Sequence, residues 1–172
     1  LATVRPPSPY GPARSIAWLR AVAEAMERPD AVEGMAERLG RLADEQWRPR
    51  VEQVAGTGVG IVADARLLPR LVDPARFFAI PLLPLLEEMG FSVHVALYAP
   101  DGRPWETGLS AVFAAPERHP VTFFSTQEEL DAFLGQDAIR LVYSDYFYDH
   151  RITTRGRTPF STHVFEMGVE GA

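Results

Sequence analysis

The residues best suited to chemistry cluster near the end of the chain, in "SDYFYDHR" (144–151) and "RTPFSTHVFEMGVEGA" (157–172). The first stretch offers Asp145, Asp149 and His150, oxygen and nitrogen donors of the kind that hold a divalent metal. It contains a single imidazole, and an adjacent Asp-His pair is more simply an ordinary polar loop. In the second stretch His163 is the only imidazole. The alternation from Phe160 to Phe165 predicts the last strand of a sheet, where Thr162 and His163 face opposite ways. Strand position alone predicts a histidine with a satisfied hydrogen bond rather than a ligand. Between the two lie Arg151, Arg155 and Arg157, whose forked donors suit an anionic group. Solvated or structural arginines explain them at least as well, because a surface Arg needs no partner.

Other chemistry is thin. His94 is placed on a strand opposite Val93 and Val95 and reads as structural, and His119 before Pro120 reads as a loop residue. There is no cysteine, hence no disulfide, thiolate ligand or cysteine nucleophile. All 17 basic residues are Arg, which removes a Schiff-base or phosphate-binding Lys. No Gly-x-Ser-x-Gly elbow and no P-loop occur. "GTGVG" (56–60) resembles a dinucleotide fingerprint, but its glycines precede and enter a strand. The fingerprint needs them after the strand, where the backbone meets a pyrophosphate at a helix start.

The elements that must position these residues follow from hydrophobic period. "PPSPYGP" is a rigid extended opening. Ile16, Leu19, Ala23 and Met26 recur three and four apart, widened by Trp18 and Val22, and predict a helix over 13–26 ended by Pro29. A second helix runs from Ala31 to about Val54 through Met35, Leu39, Leu42 and Trp47, with a kink or restart expected at Pro49. The period then changes. "GVGIVAD" (58–64) reads as a buried parallel strand. Residues 65–90 are helical territory broken by Pro69, Pro74, Pro81 and Pro84 and closed by Gly90. "FSVHVALY" (91–98), "VTFFS" (121–125) and "AIRLVYSD" (138–145) are further strands, and "PDGRP" marks a turn in the loop-rich stretch 99–119. Thr126 and Glu129 form a capping box for a helix over 127–134. Glu166 to Gly168 read as a turn, and residues 169–172 as the first turn of a helix.

Strands alternating with helices predict an α/β fold: a Rossmann-like three-layer domain with a mostly parallel sheet of four to five strands, preceded by two helices. Residues 1–55 form the leading part and 56–172 the Rossmann-like domain. Ligands of such sheets meet the carboxyl ends of the strands. Here those are Asp64-Ala65, Ala99 to Gly102, Ser125-Thr126, Ser144-Asp145 and the His163 region.

Composition sets the outer limits. The 172 residues suit one domain of ordinary size, and 47 % hydrophobic with 23 % charged is average for a globular domain. A net charge of -6 argues against nucleic acid and anionic membrane as partners. No apolar run reaches the ~18 residues that span a bilayer, and the Pro-rich start lacks a signal-peptide core, so a cytoplasmic protein is expected. The first residue is Leu and the last helix is cut short, which suggests a piece of a longer subunit.

Four segments, in this order, resemble the nitrogenase component 1-like oxidoreductases, which include cofactor-assembly scaffolds and the light-independent protochlorophyllide and chlorophyllide reductases. "PYGPARSIAWLRAVAEAM" (9–26) is similar to the family's Pro-x-Gly helix opening with Thr/Ser-x-x-Trp-Leu-Arg. "GTGVGIVADA" (56–65) resembles the strand that starts one of its Rossmann-like domains. "PLLEEMGFSVHVAL" (84–97) is similar to its Glu-x-Gly helix end and next strand. "FEMGVEGA" (165–172) resembles its Gly-Phe/Tyr-Glu-Gly helix start.

The resemblance implies a multi-domain subunit of which this chain is one domain. It also implies a homologous partner subunit, a docking ATP-dependent reductase, and an iron–sulfur cluster or related metallocofactor held largely by Cys thiolates elsewhere in the parent. No cofactor is expected on this piece alone, which should be inactive by itself. In the molybdenum nitrogenase α subunit a His just before the corresponding helix binds the cofactor metal. Ungapped matching of "GVEG" (168–171) puts that position on Thr162, with His163 beside it. A one-residue shift would bring His163 there. The resemblance also suggests what anion Arg151, Arg155 and Arg157 would meet: a carboxylated tetrapyrrole or an acid on a metal cofactor. Two other functions fit the same residues, a scaffold subunit that carries a metallocofactor without turnover and a stand-alone Rossmann-like binding module.

Overall fold

The computed structural model describes residues 5–67, 80–100, 119–144 and 150–168, without the side chains of Leu67 and His163. The turn at "PDGRP" beyond Pro100, Pro69 and Pro74, Asp145, Asp149 and the helix start at 169–172 lie outside the described residues.

Among the described residues five strands build one sheet: β1 (Gly58–Asp64), β2 (Ser92–Tyr98), β3 (Val121–Phe124), β4 (Ile139–Ser144) and β5 (Thr158–Phe160), in the order β3-β2-β1-β4-β5. Every pairing is parallel. β1 lies at the centre, and Val59 and Ile61 are fully buried. Its near-continuous apolar run follows from being covered on both faces.

Side-chain alternation divides the core in two. Val59, Ile61, Val93, Val95 and Leu97 face α4 (Leu82–Glu88) through Leu82, Leu83 and Leu86. Val62, Ala96 and Val142 face α5 (Gln127–Leu134) and α6 (His150–Thr154) through Leu130, Phe133, Leu134 and Ile152. Each fully buried Leu or Phe contributes about 2 kcal/mol of transfer free energy. The result is the α/β three-layer, Rossmann-like arrangement.

Behind α4 stand the leading helices, α1 (Gly11–Ala25), α2 (Glu33–Leu42) and α3 (Arg48–Val54). Leu85 points away from the sheet and packs with Tyr10 and Trp47. The interruption expected at Pro49 takes the form of a π-helical turn, Ala43–Trp47, that leads straight into α3. Proline cannot donate to the preceding turn, and its ring crowds the carbonyl four residues back. A widened turn ahead of it relieves both. On α1, Ala23 alone of the apolar stripe is buried, and Met26 is 66 % exposed.

One strand prediction needs correcting. Phe160 to Phe165 is not a strand: β5 ends at Phe160, and Thr162–Val164 is a 3-10 turn closed by Phe165 N–H donating to Thr162 O at 3.2 Å. Tyr143 and Phe160 are the last register pair of β4 and β5, and from Thr162 the chain turns out of the strand. The alternation arises because Phe160 and Phe165 meet edge to face at 6.3 Å over the α4 side of the core. Successive residues of a 3-10 turn point about 120° apart, so the opposite-face argument for Thr162 and His163 no longer applies.

The capping box forms as expected. Thr126 Oγ1 accepts from Glu129 N–H at 3.2 Å, and Glu129 Oε2 accepts from Thr126 N–H at 3.1 Å. Thr126→Ala should cost about 1 kcal/mol of stability, read as a lower urea midpoint with unchanged slope.

Candidate functional site

In a parallel sheet of order 3-2-1-4-5 the chain reverses direction across the sheet between β1 and β4, and the crevice opens at the carboxyl ends of those two strands. Val62 of β1 pairs with Ser144 of β4, so Asp64 stands just beyond Ser144 on the rim. Ser144 is buried. Asp64 Oδ1 accepts from Arg66 N–H at 2.9 Å and from Arg66 Nε at 2.9 Å, and Arg66 Nη2 closes on Oδ2. These bonds, led by the guanidinium, hold the Asp64 carboxyl below the usual carboxylate range. In the sequence Asp64 reads as one of the strand ends where ligands meet such a sheet. The Asp-x-Arg spacing, which lets a carboxylate grip the backbone two residues on, was the available signal.

On either side of the crevice the rim differs. At the end of β3, Glu129 Oε2 accepts from Ser125 N–H at 2.7 Å and from Ser125 Oγ at 3.2 Å, besides Thr126 N–H. A carboxylate of the chain itself thus fills the helix start where an anionic ligand would sit. At the end of β5, half-buried Thr162 and the backbone of His163 form the rim turn. They lie on the same carboxyl rim as Ser144. Asp145 follows Ser144 outside the described residues.

The three arginines are not brought to one point. Arg151, in the first turn of α6, donates through Nη1 to Gln127 Oε1 at 3.0 Å near the carboxyl rim. Arg155 Nη2 lies 3.2 Å from Asp131 Oδ2, midway along α5. Arg157 donates to Leu134 O at 2.9 Å and to Gln136 O at 3.0 Å, at the far end of α5 and just before β5 begins. It stands at the amino rim of the sheet and satisfies the last carbonyls of α5. Arg151 and Arg155 share a polar groove of about 280 Å³ with Gln127, Asp131, His150 and Thr154, on the flank rather than in the crevice.

The remaining histidines sit away from this rim. His94 is half-buried on β2 with Ser92 Oγ 3.5 Å from Nε2, and burial lowers its pKa. His119 lies in a loop, is buried, and its Nε2 lies 2.9 Å from Glu87 Oε1. The glycines of "GTGVG" have steric reasons. A Cβ on Gly58 would stand 2.0 Å from Ala138 O, and one on Gly60 3.2 Å from the Phe133 ring.

Residues 1–160 match the family model described as nitrogenase component 1 type oxidoreductase. The chain belongs to that family. No curated protein and no solved structure matches it. The matched span takes in the Pro-x-Gly opening, the β1 strand and the Glu-x-Gly helix end of this nitrogenase component 1 type domain, and it stops just before Thr162. No helix among the described residues is long and apolar enough to cross a membrane.

Family membership implies a metallocofactor in full-length proteins of this type. There is no cysteine, and among the described residues no three His, Asp or Glu side chains approach closely enough to hold a metal ion. Among the described residues the rim offers hydroxyls, the Asp64 and Glu129 carboxylates, Arg151 and backbone.

The rim carboxylates set a pH response. Asp64 and Glu129 both bind protons more weakly folded than unfolded, Glu129 through the Ser125 and Thr126 backbone N–H groups. Their contribution is complete above the unfolded pKa of about 4 and disappears as pH falls through the lower folded value. Glu129→Gln should therefore lose less stability between neutral pH and pH 3 than the parent chain, in urea melts at stepped pH. Glu88 works with the opposite sign: burial raises its pKa, so its contribution is present below the unfolded value and declines as pH rises through the folded one.

Proposed function

We propose that this domain is part of a subunit that passes electrons from an ATP-dependent iron–sulfur reductase to a substrate, in the manner of nitrogenase component 1 type enzymes. The observation that carries this reading is the family match across residues 1–160. In this reading residues 56–172 form one of several Rossmann-like domains of the parent and residues 1–55 its leading helices. The carboxyl rim, with Thr162, His163, Ser144, Asp145 and Arg151, walls a redox centre whose ligands come from outside the chain. Arg155 and Arg157 bond to and beyond α5 away from the centre, Arg157 at the opposite, amino rim.

The contribution of such a wall is positional. Hydroxyls and N–H groups at the rim orient bound groups and hold protons near them, while the packed faces of the sheet keep water out. Rim residues are therefore expected to act on substrate binding and rate without changing metal content. The test is turnover. Full-length protein, purified anaerobically with its reductase and supplied with ATP, should consume reductant in a strictly ATP-dependent way. A protein that carries its metallocofactor but never turns over would be a scaffold. One that binds a small molecule with neither cofactor nor reductase would be a plain binding module.

A further inference from the structure

Helix α1 lacks what a helix start normally has. Its N-cap is Tyr10, with no side-chain cap, and its first turn contains no acidic residue. Pro12 has no N–H to satisfy, and of the other unpaired donors in this first turn Ala13 N–H finds a side-chain partner. That partner is Glu88 Oε1, 2.8 Å away and 75 residues distant in sequence, at the end of α4. Glu88 supplies both the cap and the negative charge that a helix N-terminus favours.

The same carboxylate shapes the backbone in front of the helix. Gly11 has φ +74°, and a Cβ there would stand 2.6 Å from Glu88 Oε2. Buried Ser15 braces this turn, with Oγ 2.7 Å from Gly11 O and 3.3 Å from Pro9 O. Pro9 O in turn accepts from Gly168 N–H at 2.7 Å, and Tyr10 pairs with Gly168 as an isolated parallel bridge. Phe165 packs into the cluster of Tyr10, Trp47 and Leu85, and its N–H closes the Thr162–Val164 turn. A continuous set of hydrogen bonds and packed rings thus runs from Glu88 to the rim.

We infer that Glu88 is a positioning residue for the rim turn: by clamping residues 9–13 onto the end of α4, it holds the backbone to which Gly168, and through Phe165 the Thr162–Val164 turn, is tied. The importance of this turn for function rests on the proposed role of the carboxyl rim, but the clamp itself is a physical claim about the fold.

Amide hydrogen exchange on the full-length protein tests it, comparing wild type with Glu88→Ala and Glu88→Gln. Alanine removes the acceptor, whereas glutamine keeps an oxygen for Ala13 N–H. In Glu88→Ala the amides of Ala13 and Gly168 should exchange at least tenfold faster while those of β1 keep their wild-type rates, and Glu88→Gln should recover most of the protection at both. If Gly168 stays at its wild-type rate while Ala13 alone speeds up, the coupling does not exist. A uniform rise that includes β1 also overturns it, since Glu88 would then be a general stabiliser. Should Glu88→Ala not fold, Gly11→Ala displaces the same carboxylate, and the same contrast between Gly168 and β1 decides. Wild type and variants are compared in the same cofactor state, so failure here is distinct from failure of the electron-transfer reading.

Discussion

Gly58→Ala is expected to lower the stability of the chain by about 3 kcal/mol or more, seen as a large drop in urea midpoint by circular dichroism. The added Cβ would stand 2.0 Å from Ala138 O, 2.7 Å from Ala138 C and 3.2 Å from Ile139 Cα. All three are backbone atoms, so no side chain can swing away. Either β1 and β4 separate at the start of their pairing or β1 shifts its register, and β1 is the central strand. A loss of that size is a large share of the ~5–15 kcal/mol that holds an ordinary domain together. If "GTGVG" were a nucleotide-binding loop, the same substitution would weaken ligand binding and leave folding intact.

Phe133→Ala should cost about 3–5 kcal/mol, the range for truncating a buried aromatic ring in a packed core. Phe133 is 2 % exposed and joins α5 to the sheet among Val62, Leu130, Leu134, Ile139 and Ile152. Its ring lies where a side chain on Gly60 would project, with Cε1 at 3.2 Å and Cζ at 3.4 Å from the added Cβ. Glycine on the strand and phenylalanine on the helix are one packing solution. Gly60→Ala should therefore destabilise the parent chain, and cost measurably less when Phe133 is already alanine. A double-mutant cycle with no coupling between the two positions would contradict this reading.

The fold was legible where periodicity and local chemistry agreed. The apolar run closed by Asp64 gave β1 its full extent, and the Thr126–Glu129 pair marked the start of α5 through hydrogen bonds made within one helical turn. The edge of the sheet was not legible. Whether residues after Phe160 remain a strand depends on tertiary contacts, and here the Phe160–Phe165 ring contact accompanies a 3-10 turn instead. The distribution of the arginines was hidden for a related reason. Arg151, Arg155 and Arg157 are neighbours in sequence, but α6 and the turn after it carry them along the length of α5, and Arg157 reaches its C-terminal carbonyls. The clamp by Glu88 had no local signature, because its two halves are 75 residues apart. Yet it links segments that carried the family resemblance: the Pro9-Tyr10-Gly11 opening, the Glu88-Met89-Gly90 helix end and, through Gly168, the tail of the chain. Three separate motifs of the sequence are three sides of one joint.

In the proposed role this domain helps wall a redox centre whose ligands lie in the rest of the protein. The most direct test is anaerobic purification of the full-length protein, followed by iron and acid-labile sulfide analysis with electron paramagnetic resonance. A coloured sample, with iron and sulfide in cluster proportions and a paramagnetic signal on reduction, is the expected result. A colourless preparation that stays free of iron after cluster reconstitution would contradict the account.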